Sequence, residues 1–161
     1  MELDLAILNL NSIVTPASSG PIRGRGMTRI ECIKESNIGI LNGKIEYVGP
    51  EIPAAGKYID GRGLIAMPGF IDCHTHIPFT GNRSREFLMR LEGRSYMDIM
   101  KAGGGIRSTT EAVRRAPASA LMAESSRFLD SMLSLGVTTV EGKSGYGLDR
   151  EGELKQLRVL E

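Results

Sequence analysis

Beyond Leu64 the sequence sets short apolar runs against longer amphipathic segments, and that order constrains the fold more than any other feature. The run Leu64-Ile-Ala-Met67, a Pro-Gly step and Phe70-Ile71 read together as a buried strand. Helix-like pieces follow over Ser84 to Leu91 and Tyr96 to Ala102. The strongest helix starts after Pro117 with Ser119 as its N-cap. It carries Leu121, Phe128, Leu129, Met132 and Leu133 on one face and stops at Gly136. Val137-Thr-Thr-Val140 has β-branched strand character, and Glu153 to Leu160 opens another helical repeat. Strand, helix, strand, helix predicts parallel pairing with right-handed crossovers, in a barrel or in an open sheet.

The first sixty residues follow a different rhythm, with short β-prone runs at Leu5 to Leu10, Ile38 to Leu41 and Ile45 to Val48. In IGILNGKIEYVG the pair Asn42-Gly43 suits a two-residue hairpin turn that needs positive φ. Residues 16–27 have turn and charge chemistry throughout and read as a mobile loop. The expected division is a small β domain over 1–63 and β/α units over 64–161.

Composition excludes several classes of function. Twenty basic against nineteen acidic side chains leave a net charge of +1, so no field of either sign recruits nucleic acid or a membrane surface. No apolar run approaches the ~20 residues that span a bilayer. Two cysteines, Cys32 and Cys73, are too few for a disulfide framework, and MELDLAILNL lacks a signal-peptide pattern. A cytoplasmic setting and a small-molecule partner are expected.

The only two histidines of the chain, His74 and His76, stand two positions apart in GFIDCHTHIPF. On a strand, residues i and i+2 project from one face, so two imidazoles aim at one point while Thr75 faces away. The pair closes a hydrophobic strand, follows Asp72 and leads into a loop, which is where barrel folds build their sites. Neutral imidazole suits zinc or ferrous iron. Cys73 should face the other side and pack. A catalytic zinc takes three protein ligands as a rule, and only two are evident. Either an acidic residue completes the set or further ligands lie outside these residues. The stretch after Leu64 also falls far short of the roughly 200 to 250 residues of a complete barrel.

The segments PGFIDCHTHIPF, GNRSREFLMRLEGRSYMDIMKAGGGIRST and GVTTVEGKSGYGL resemble the imidazolonepropionase family of the amidohydrolase superfamily. That resemblance implies an α/β fold: the amino-terminal part of a metal-dependent hydrolase (β/α)8 barrel, preceded by a small β-sandwich-type domain, with the barrel incomplete in this chain. The activity it implies is addition of water to 4-imidazolone-5-propanoate, giving N-formimino-L-glutamate in histidine degradation. It further implies one divalent metal, Zn2+ or Fe, with His74 and His76 as ligands and the remaining ligands elsewhere. Arg83 would hold the substrate carboxylate and Tyr146 would contact the substrate, while no catalytic acid or base is assigned within the chain. A homodimer is a possible state of the full-length enzyme.

Each assignment has a physical rationale. A guanidinium is a planar fork matched to a carboxylate, and Arg83 lies on the loop leaving the strand's active end. Tyr146 follows Ser144-Gly145, where glycine lets backbone approach a ligand. Glu141 and Lys143 share a strand face and are either a structural ion pair or part of the site's lining. Gly103-Gly-Gly105 lacks the Walker spacing and reads as a loop shaping the site mouth. Two rivals remain: another cyclic amide hydrolase or deaminase of the superfamily, and a catalytically silent domain.

Overall fold

The computed structural model describes residues 2–18 and 20–161; Met1 and Ser19, the latter inside the 16–27 loop, lie outside the described residues. The chain divides into two compact units, Met1–Pro68 and Gly69–Glu161.

In the first unit, β1 (Leu5–Pro16), β2 (Ile30–Leu41), β3 (Lys44–Gly49), β4 (Tyr58–Asp60) and β5 (Ile65–Ala66) form one mixed sheet. Its order is β3-β2-β1-β4, with β5 also paired to β1. β2 and β3 are joined by Asn42 and Gly43 at φ 51° and 73°, the two positive values of the tight hairpin that keeps Leu41 opposite Lys44. β1 and β2 are longer than their apolar runs suggested, running antiparallel from Leu5↔Ile40 to Pro16↔Ile30. A short 3-10 turn, Gly24–Thr28, lies between them, so the 16–27 segment is mostly the end of this hairpin.

A bulge interrupts the hairpin between Ile7 and Leu10. Asn9 takes φ 60° there, and its N–H donates to Asn37 Oδ1 at 2.8 Å. The buried Asn37 amide in turn donates to the Pro50 and Glu51 carbonyls at 3.0 and 2.9 Å. Polar groups that a bulge would strand are thereby paired. Two small apolar clusters, Leu3 with Ala6 and Ala55, and Leu10 with Ile13 and Ile38, make the core.

Two expectations change in this unit. The five strands make a single sheet, and the second layer of a sandwich is not found among the described residues; Ile30, Ile45 and Ile65 are exposed. The boundary falls after Pro68 instead of 63, because Ile65–Ala66 pairs in parallel with Ser12 and Ile13. Leu64 to Met67 is thus not the start of the histidine strand.

In the second unit, β6 (Phe70–Thr75) pairs in parallel with β7 (Val137–Gly142). Four helices cross between them: α1 (Ser84–Leu91), α2 (Tyr96–Lys101), α3 (Ile106–Arg115) and α4 (Ala118–Ser134); α5 (Arg150–Leu160) follows β7. Ile77, Ile99, Val113 and Leu121 are buried. Phe70 and Ile71 are exposed, so β6 is not the buried strand expected, since only β7 pairs with it. Cys73 is exposed instead of packed.

Helix ends show what sequence spacing misjudged. α4 starts at Ala118, because the Pro117 carbonyl accepts the Ala120 and Leu121 N–H groups at 3.1 and 3.3 Å, leaving Ser119 inside the first turn. α5 starts three residues before Glu153, capped by Asp149, whose carboxylate accepts the Gly152 N–H at 2.7 Å. α3 was not anticipated, since its polar sequence buries only Thr110 and Val113. Its last turn is satisfied from outside: Lys155 Nζ donates to the carbonyls of Val113, Arg114 and Ala116 at 2.8, 2.9 and 2.8 Å.

Candidate functional site

The carboxyl ends of β6 and β7 bring the candidate residues together. His74 lies on β6 and His76 one residue past its end, with ring centroids 5.3 Å apart and planes at 69°. Asp72 does not join them, because its carboxylate accepts the His74 backbone N–H at 3.1 Å. The Tyr146 ring, on the loop after β7, stands 5.2 Å from His76 and 6.2 Å from Phe79.

These groups face a cleft of about 420 Å3 lined by His74, Thr75, His76, Phe79, Gly81, Asn82, Arg83, Thr109 and Tyr146. Arg83 is the N-cap residue of α1. Its Nε donates to Thr109 Oγ1 of α3 at 3.2 Å and lies 3.8 Å from Glu86 Oε1. Both protein contacts use Nε, which leaves the outer fork of the guanidinium for a ligand.

His76 is half-buried, and its Nδ1 is buried without a hydrogen-bond partner among the described residues. An orphaned buried nitrogen is costly unless something pairs with it, and a divalent cation is such a partner. Two imidazoles side by side at one strand end are donors of the kind that divalent ions such as zinc and iron take. Among the described residues, no three His, Cys, Asp or Glu side chains converge into a complete set of ligands.

Glu141 and Lys143 form an ion pair at the end of β7, and neither lines the cleft. The Lys143 ammonium holds the Glu141 carboxyl below the usual carboxylate range, with His74 adding a smaller effect. Gly103 to Gly105 do not line the cleft either. They join α2 to α3, with the Gly105 N–H donating to the buried Glu86 carboxylate at 2.8 Å.

No family model matches the chain. The imidazolonepropionase of Kosmotoga olearia is 54% identical over 160 residues, which cover 99% of this chain and 39% of that protein. The chain is similar to imidazolonepropionases along nearly its whole length. The imidazolonepropionases of Rubrobacter xylanophilus and Bacteroides fragilis are 44 and 41% identical, and the chain spans about two fifths of the length of these relatives. Among solved structures, the guanine deaminase of C. acetobutylicum with bound guanine matches 99% of this chain and 33% of its own at 17% identity and TM-score 0.56. A mutant atrazine chlorohydrolase, TrzN, from Arthrobacter aurescens TC1, complexed with zinc and atraton, matches 96% and 32% at 20% identity and TM-score 0.51. These likenesses show that the chain shares its fold with part of each of those two enzymes, the second of which was solved with zinc bound.

Sequence reasoning named His74, His76, Arg83 and Tyr146, and all four line the one cleft. It missed the residues that hold them. Gly145 admits the His76 ring, since a Cβ there would lie 2.6 Å from His76 Cε1. Gln156, fully buried in α5, bonds to the backbone on both sides of the cleft. Glu86 ties Arg83 to the glycine triplet. The one available signal was Glu86 three residues past Arg83 on a helix, which is a reachable pairing distance.

Proposed function

We propose that this chain is the part of an imidazolonepropionase that supplies two metal ligands and the grip on the substrate. In the whole enzyme, water adds to the ring of 4-imidazolone-5-propanoate and opens it to N-formimino-L-glutamate. The first unit would be one layer of a composite β-sandwich and the second the opening of the barrel, in a cytoplasmic enzyme. No helix among the described residues is long and apolar enough to cross a membrane.

The observation that carries the reading is the meeting of His74, His76, Arg83 and Tyr146 at one cleft of about 420 Å3, within the usual range for small-molecule sites. A bound Zn2+ or Fe would polarise the ring carbonyl and make water a nucleophile near neutral pH. His74 and His76 would hold that ion. Arg83, anchored through Nε, offers its outer nitrogen pair to the propionate carboxylate as a bidentate fork. Tyr146 closes the cleft beside His76 and gives a hydroxyl to orient the ring.

The test is Arg83→Met in a chain extended to the full length of its relatives. KM for imidazolone propionate should rise roughly ten- to a hundredfold, the worth of hydrogen bonds to a charged group, with metal content unchanged. An unchanged KM would remove the substrate assignment and favour a deaminase, because a neutral nucleobase offers Arg83 no carboxylate. The lack of a complete set of metal donors among the described residues favours a second reading, a catalytically silent domain. Metal analysis and a turnover assay on the extended chain separate the two: stoichiometric metal with turnover ends the silent reading, and neither ends the enzymatic one.

A further inference from the structure

We propose that Gln156 is the positioning residue of the cleft: one buried carboxamide locks the loop after β7 to the loop after β6, holding Tyr146 against His76. The proposal rests on the reading that those two rings serve one site. Gln156 is completely buried, on a helix whose neighbouring positions are charged or aliphatic. Its Oε1 accepts the backbone N–H groups of Gly147, Tyr146 and Gly145 at 2.9, 3.2 and 3.4 Å. Its Nε2 donates to the Pro78 carbonyl at 2.6 Å. Three N–H donors on one side and a carbonyl on the other permit a single orientation of the amide.

Pro78 is two residues beyond His76, and Tyr146 is one of the three residues held, so the amide spans both partners of the ring contact. The fit on the His76 side is tight. Gly145 has φ 140° and leaves no room for a side chain beside the imidazole. A loop that close to a ring must be held in place from behind, and Gln156 is the group found there. Leucine has nearly the same volume but can satisfy none of the four backbone groups.

The experiment is NMR on the 161-residue chain, using the imidazole signals of His74 and His76 and amide exchange at 145–147, with Tyr146→Leu marking how far the tyrosine ring displaces the His76 signal. In the unaltered chain the Tyr146 and Gly147 amides should be protected from exchange. In Gln156→Leu they should exchange roughly tenfold faster or more, and the His76 signal should move toward its position in Tyr146→Leu. A folded Gln156→Leu with an unmoved His76 signal would overturn the proposal, since losing a glutamine that only stabilises the fold would lower the melting temperature without moving the ring contact. Should that variant not fold, unprotected Tyr146 and Gly147 amides in the unaltered chain overturn it equally. If added zinc leaves both histidine signals unmoved while Gln156→Leu still displaces that of His76, the metal reading fails and the positioning role stands.

Discussion

A methyl group on residue 145 would stand 2.6 Å from Cε1 of His76 and 2.9 Å from its Nδ1, so the imidazole lies against bare backbone. Gly145→Ala meets that overlap and also a φ of 140° that other residues rarely adopt. We expect a loss of about 1–3 kcal/mol in urea unfolding and a displaced His76 ring signal. Unaltered stability would mean that the loop moves aside at little cost.

Lys155 is the charged end-piece of a helix that is not its own. Its ammonium donates to three carbonyls at the carboxyl terminus of α3. Lys155→Met keeps the aliphatic stem and deletes the donor, and should lower stability by about 1–3 kcal/mol. Lys155→Arg should recover only part of this, because a planar fork does not match three carbonyls around one point. Equal urea midpoints for Lys155→Met and the unaltered chain would contradict the reading.

Hydrogen bonding and ion pairing with Arg62, aided by the Asn9 amide, hold the Asp60 carboxyl down at about 2, against 3.8 in an unperturbed carboxyl. A carboxylate depressed in the folded state adds stability that is complete above about 4 and is lost as the pH falls through about 2. Asp60→Asn should therefore lower stability at neutral pH, where the charged pair with Arg62 is intact, and lose less than the unaltered chain as the pH falls between those limits. The measurement is the urea midpoint as a function of pH for both chains, and parallel curves from pH 4 to 2 would refute it.

β6 leaves Phe70 and Ile71 exposed, by 52 and 69%, on a two-stranded sheet whose outer edges are unpaired among the described residues. Such a surface drives association. Sedimentation velocity should show concentration-dependent oligomers that diminish in Ile71→Lys. A monodisperse monomer across the accessible concentrations would count against it.

Local chemistry was legible in the sequence, and distant pairing was not. Asn42-Gly43 specified its hairpin because the turn needs two positive φ values and little else. Of the four cleft residues, His74 and His76 stood out by their i, i+2 spacing on a strand, whereas Arg83 and Tyr146 were named through the family resemblance. Gln156 was not, since its role comes from burial against Pro78, 78 positions away. α3 was hidden because its stability comes from Lys155 and two buried side chains rather than from an apolar stripe. β5 was misassigned because an apolar run carries no record of which sheet it joins.

The pairing of Phe70 with Val137 sets an order of events in folding. β2 and β3 meet across two residues, whereas β6 can find β7 only after four helices have condensed between them, and chain closure over that distance is slow. The cleft, built where those two strands end, is therefore the last feature to mature. Pulse-labelled hydrogen exchange during refolding should record protection at Ile38 and Ile40 before it records any at Ile71 and Val140.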